Sequence, residues 1–234
     1  MAKSSHKTLV WGIPTRAFHW FLAISFTTAY VLSDFEQYQS FHFAFGALAG
    51  GLLSARVIWG LIGPRYSRFS DFPISFNKII AFTKSIKNSA HIGHNPLASL
   101  VMLGIILIGL ATAISGYLVY KYENQSLTSN LPFNSDFAEE SHEILANLFL
   151  MLVIIHLAGI AFDAFMHKKD SAIFSIFTGQ KPGIAPSASL NGFHKAFAVV
   201  WFVIAFYLFI QALNLPVTEQ QDKHEKAKYD QESD

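Results

Sequence analysis

Five apolar runs dominate the chain: Arg16 to Leu32, Phe41 to Ile62, Leu97 to Tyr120, Ser141 to Met166 and Ala196 to Leu213. Each is close to the ~20 residues that a helix needs to cross a bilayer. Inside hydrocarbon every backbone N–H and C=O must be bonded within the protein, so runs of this length read as membrane-crossing helices. Composition agrees: 52% of the 234 residues are hydrophobic and 14% are charged, against roughly a quarter charged in soluble domains. The expected fold is all-α and integral to the membrane: a four-helix transmembrane bundle plus a fifth, C-terminal transmembrane helix. The bundle is expected over residues 9–178 and a linker containing Gly, Pro and Ser over 179–193. The fifth helix then covers 194–215, and a polar, disordered tail 216–234.

The net charge of +1 hides a strong segregation of charge between the runs. The stretch from Gly63 to Pro96 carries Arg65, Arg68, Lys78, Lys84 and Lys87 against Asp71 alone. The segment after the first run has Asp34 and Glu36 and no basic residue, and that after the third has Glu123, Asp136, Glu139 and Glu140 against Lys121. Lys168, Lys169 and Lys181 follow the fourth run. Basic loops stay in the cytoplasm, which places the N-terminus there. Ser33-Asp34 after the first run lacks the small residues of a cleavage site, so that run reads as a retained span.

The chain has no cysteine. That removes disulfides, iron–sulfur clusters, cysteine-ligated zinc and covalent c-type haem as properties of this polypeptide. Ten histidines remain as the strong transition-metal ligands. His19 falls near the cytoplasmic end of the first span and His42 near the outer end of the second. On the fourth span, His142 sits near the outer end and His156 fourteen residues further in. Fourteen residues is nearly four turns, so both imidazoles leave one face, roughly 21 Å apart along the axis. Depth pairs His42 with His142 outside and His19 with His156 inside.

Two such pairs suit two b-type haems held by bis-histidine ligation, because a saturated iron disfavours oxygen binding and favours electron transfer. The bundle is thus expected to be haem-binding, with His19, His42, His142 and His156 as iron ligands. Gly46 and Gly50 follow His42 at intervals of four, where small residues admit either a flat macrocycle or an adjacent helix. Arg56, fourteen residues from His42, and Arg16, just before His19, each have two readings. One is a partner for a haem propionate; the other is an interfacial residue reaching for lipid phosphate. His91 and His94 precede Asn95-Pro96 and read as helix-start chemistry. His167, His194, His6 and His224 lie at span ends or in polar termini. A competing reading is a histidine-dependent proton or metal transporter without haem, although ionisable groups would then be expected nearer mid-depth with carboxylate partners. No nucleotide-binding loop, nucleophile–base pair or nucleic-acid surface is present.

Three motifs carry a resemblance: Trp11-x-x-Pro14-x-Arg16-x-Phe18-His19-Trp20, Arg56-x-x-Trp59-Gly60-x-x-Gly63-Pro64-Arg65, and Gly93-His94-Asn95-Pro96-Leu97. Over roughly Leu9 to Pro182 the chain resembles the bacterial membrane cytochrome b family. That family includes cytochrome b subunits of nickel–iron hydrogenases and free-standing di-haem cytochromes b linked to quinol. The resemblance implies haem ligands from the first, second and fourth helices, matching His19, His42, His142 and His156. It further implies an electron-transfer subunit of an oxidoreductase in the bacterial inner membrane, oxidising quinol or reducing quinone. Its partners would be membrane lipid, quinone and a redox protein bearing iron–sulfur clusters or c-type haem, with no nucleic acid. The fifth span after the linker departs from the simplest free-standing members.

Overall fold

The computed structural model describes residues 6–84, 93–123, 134–168 and 171–215. His91, Lys87, Lys169 and the expected tail from residue 216 lie outside the described residues. In order along the chain come β1 (Lys7–Leu9), α1 (Ile13–Leu32), α2 (Gln39–Ile62), α3 (Phe76–Lys84), α4 (Pro96–Glu123), α5 (Ser135–His167), α6 (Ile173–Thr178), β2 (Gln180–Pro182) and α7 (Gly192–Leu213). The fold is mostly helical, as expected for a membrane bundle.

Four of the long helices, α2, α4, α5 and α7, are apolar enough over eighteen residues to cross a membrane, with mean hydropathy of 1.6, 2.6, 2.5 and 2.3. The 20-residue α1 is long enough at ~1.5 Å per residue but does not join that group. It carries Thr15, Arg16, His19, Ser25, Thr27 and Thr28. Part of this polarity is internal: Ser25 is buried and returns its hydroxyl to Phe21 O at 2.6 Å, a local bond that satisfies it without water.

Long α2 is the hub. Half of its apolar window is buried, against 17%, 6% and 11% for α4, α5 and α7, whose apolar side chains face outward to lipid. Small residues let its neighbours approach. A Cβ on Gly51 would stand 3.3 Å from Ala205 Cα of α7, and one on Gly50 would stand 2.9 Å from Ala113 Cβ of α4. Trp201 of α7 donates its indole N–H to Gly51 O at 2.8 Å. One apolar core, Leu48, Leu52 and Ala205 with Phe18, Phe45 and Phe202, joins α1, α2 and α7. A second, Leu53, Ile106 and Phe149 with Phe26, joins α1, α2, α4 and α5.

The entries of the long helices α5 and α7 are capped by side chains. Asn134 accepts from Phe137 N at the start of α5, and Asn191 with His194 forms a reciprocal box at the start of α7. His194 Nε2 also bonds Ile62 O at 3.0 Å, tying α7 to the end of α2. The 179–193 stretch is stitched to the N-terminus. β1 and β2 pair antiparallel with Thr8 opposite Lys181, Val10 N and Trp11 N both donate to Gly179 O, and the Thr8 hydroxyl donates to Gly183 O at 2.7 Å. Gly179 closes α6 with φ of 78°, a left-handed conformation that glycine adopts without strain.

Gly179→Ala should therefore loosen this clamp. Its Cβ would meet Trp11 O at 2.5 Å, in addition to the ~1–2 kcal/mol penalty of a left-handed L residue. A loss of about 2 kcal/mol lowers the midpoint of a chain this size by roughly 4–8 °C. Thermal unfolding of the detergent-solubilised protein followed by circular dichroism measures it; an unchanged midpoint contradicts the clamp.

Candidate functional site

Imidazoles from α1, α2 and α5 meet in two pairs. His19 of α1 and His156 of α5 lie with ring centroids 6.3 Å apart and planes at 55°. This is the end of the bundle that carries the β1–β2 clamp. His42 of α2 and His142 of α5 lie 6.1 Å apart with planes at 87°, at the far end. Two imidazole nitrogens at ~2.0 Å from a shared metal, each about 1 Å in front of its ring centroid, put the centroids roughly 6 Å apart. Both pairs sit at that spacing.

At the far end the rings are aimed by hydrogen bonds. His42 Nδ1 lies 2.8 Å from Ala29 O, a carbonyl in the last turn of α1. His142 Nδ1 lies 3.1 Å from Thr112 O and 3.0 Å from the Ser115 hydroxyl, both on α4. A carbonyl only accepts, so each Nδ1 carries the proton and each Nε2 keeps a lone pair for a ligand. Gly116 of α4 makes room for His142: a Cβ there would stand 2.9 Å from its ring carbon Cε1. The clamp-end rings are set differently. His19 packs edge-on against Trp20 at 5.3 Å, and its buried Nδ1 has no hydrogen-bond partner.

The glycines that follow His42 divide in role. A Cβ on Gly46 would meet nothing within 4 Å, which leaves space one turn from the ring. Gly50 instead packs against α4, as described above. Arg56 is buried, with 6% of its surface exposed. Its Nη2 reaches only Met102 Sδ at 3.8 Å, its guanidinium stands 5.3 Å from the centre of the Phe69 ring, and its Nη1 has no partner. Arg16 donates to Phe177 O, while its Nε is buried without a partner.

His94 is the residue that reasoning from sequence passed over. Its ring lies 4.7 Å from Trp11 and 5.1 Å from Phe72, and its Nδ1 is buried without a partner. Burial first, then the nearby charges of Arg56, Lys181 and His156, push its pKa down to about 3, so the ring is neutral at pH 7. Burial also lowers the Lys181 ammonium, with Asp163 opposing. Lys181 of β2 donates to Gly93 O at 3.2 Å, which joins β2 to the entry of α4. The surrounding sequence offered a cap motif at Asn95-Pro96 and a family motif around His94 without a role for its ring; the tertiary approach of Trp11 and Phe72 was not written there. His167 belongs to another network, bonding Asp163 at 3.0 Å, with Asp163 also accepting from the Ser171 hydroxyl and Ala172 N.

Among the described residues, no group of three or more His, Asp or Glu side chains forms a metal cluster. Two imidazoles are the complement required by a planar cofactor that brings its own four equatorial nitrogens. Buried guanidinium nitrogens of Arg56 and Arg16 without a partner among the described residues, and open space at Gly46, fit such a group with carboxylate substituents.

Long apolar helices enclosing paired imidazoles place the chain among helical membrane proteins suited to a planar metal cofactor. Residues 10–179 match the family model described as prokaryotic cytochrome b561, and the chain belongs to that family: it is a multi-pass membrane cytochrome of the b type. Similar proteins include the "Probable Ni/Fe-hydrogenase 1 B-type cytochrome subunit" of Escherichia coli (strain K12) and its counterpart in Escherichia coli O157:H7. Each is 25% identical over 146 residues, covering 50% of this chain and 61% of the relative. The chain thus spans 61% of the length of these curated relatives. No solved structure matches it significantly.

A side chain at position 116 should displace the His142 ring. Gly116→Val is expected to keep the helical circular dichroism spectrum and to lower bound haem per chain, read by the pyridine haemochrome assay; unchanged haem content would remove Gly116 from the site.

Proposed function

We propose that the protein is a di-haem cytochrome b that carries electrons across the bacterial inner membrane, between the quinone pool and a partner redox protein. The observation that carries this reading is the meeting of four histidines in two pairs, 6.3 Å and 6.1 Å between ring centroids, at opposite ends of one bundle. His19 and His156 would hold one haem and His42 and His142 the other. When bound, each group would supply a one-electron iron couple held by two imidazoles, which suits electron transfer.

The chain's own residues do the rest. Ala29 O, Thr112 O and Ser115 fix the tautomers of His42 and His142 and direct Nε2 inward. Gly46 leaves room for the macrocycle one turn from His42. Arg56 and Arg16, with buried unpartnered nitrogens, would take the propionates of the clamp-end haem. The partners of His42 and His142 are carbonyls and a hydroxyl rather than carboxylates, which favours fixed ligands over a histidine relay for protons or metal ions.

The charge distribution supports a cytoplasmic N-terminus, so the clamp end is the inner end and the far end the outer one. Asp34, Glu36, Asp136, Glu139 and Glu140 then make the outer connections acidic, which suits a partner docking there. With no cysteine in the chain, iron–sulfur clusters or c-type haem would belong to that partner. Similarity to proteins named as probable B-type cytochrome subunits of Ni/Fe-hydrogenase supports a hydrogenase as that partner. Quinone exchange is assigned to the inner side, beside the basic connection that begins at Gly63.

The test is a dithionite-reduced minus oxidised spectrum of the purified protein with haem quantified per chain. A b-type α band with about two haems is expected. His142→Ala and His156→Ala should each leave about half the haem, and loss of different redox components should distinguish the two sites. Folded wild-type protein without haem would sink the cytochrome assignment to these residues.

A further inference from the structure

At the clamp end, Arg56 Nη1 and His94 Nδ1 are both buried and have no hydrogen-bond partner among the described residues. They are joined by an aromatic run: Arg56 stands against Phe69 at 5.3 Å, Phe69 against Phe72 at 5.6 Å, and Phe72 against His94 at 5.1 Å. Trp11 closes the other side of His94 at 4.7 Å. Lys181 of β2 donates to Gly93 O at 3.2 Å and holds the backbone that presents His94. A buried guanidinium without an acid is costly, and His94 Nδ1, in the tautomer that carries its proton there, adds a second unmet donor. A carboxylate is the matching acceptor for each.

We propose that His94 is a propionate-binding residue of the clamp-end haem and that, with Arg56 across the Phe69–Phe72 pair and Lys181 positioning it, it raises that haem's affinity for an electron above what its two imidazoles alone would give. This rests on the reading of His19 and His156 as that haem's ligands. A hydrogen bond and nearby positive charge neutralise a propionate, and a less negative neighbour stabilises the reduced iron. The device would bias an electron shared by the two haems toward the clamp end.

The experiment is an optical redox titration of the full-length haem-loaded protein in nanodiscs of pure phosphatidylcholine, repeated with phosphatidylglycerol added. The wave lost in His156→Ala identifies the clamp-end haem. His94→Leu should retain both haems and lower that wave alone, shifting electron sharing about tenfold toward the other haem, which is about 59 mV for one electron. His94→Asn keeps an N–H donor and should restore most of the shift. Should His94→Leu fail to assemble, Lys181→Met serves instead and should lower the same wave. The effect should be the same in both lipids, because the anion is carried by the haem. A shift seen only with phosphatidylglycerol would assign the site to a lipid phosphate and overturn the proposal. So would an unmoved wave in a variant that retains two haems. Wild-type protein without haem would instead overturn the ligand assignment on which the proposal stands.

Discussion

Close approach to α2 is the constraint on which the rest of the bundle depends. Gly50 and Gly51 are adjacent in sequence and so face different neighbours, one toward Ala113 of α4 and the other toward Ala205 of α7. Side chains at either position would separate these helices. α4 in turn supplies Thr112, Ser115 and Gly116, which point and accommodate His142, so the far-end pair inherits its geometry from packing several residues away. A membrane bundle gains little from expelling apolar surface from water, and close packing with internal hydrogen bonds has to hold it instead. The indole of Trp201 on Gly51 O, and His194 on Ile62 O, are such bonds, each linking α7 to α2.

The two imidazole pairs differ in what surrounds them. The far-end rings are held through Nδ1 by backbone carbonyls, a rigid arrangement that leaves little freedom in ring orientation. At the clamp end, aromatic contact with Trp20 positions His19, and the polar capacity lies around the pair, in Arg56, Arg16 and His94. One pair is therefore aimed by hydrogen bonds to its rings, the other by the electrostatics of its margin. If each pair holds a haem as proposed, different redox properties at the two ends would follow from this asymmetry without any change of ligand type.

Much of this was legible in the residues. Apolar length placed α2, α4, α5 and α7, and the fourteen-residue interval on α5 foretold which histidines would meet. Hydropathy alone was a weaker guide for α1, because Arg16, His19 and its hydroxyl residues dilute an otherwise apolar helix. Gly116 lay unmarked in a run containing several small residues; its importance exists only relative to a ring on α5. His94 looked local because its nearest sequence signal, Asn95-Pro96, is a helix start, and Asn95 does cap there by accepting from Ala98 N. Nothing near it in the chain announced Trp11 or Phe72. The same holds for the Gly- and Pro-containing stretch at 179–193, which composition describes as a spacer and hydrogen bonds tie to the chain's beginning.

That tie has a bearing on biosynthesis. Leu9 pairs with Gln180, so β1 acquires its partner only after about 170 further residues have been translated. At ~5–20 residues per second the interval is roughly 10–30 s. Throughout it, α1 can enter the membrane, but the strand leading into it waits without its backbone partners. Arrival of Gly179 then secures Val10 and Trp11 together, so the ribosome's progress, rather than local helix formation, sets when the clamp end can close.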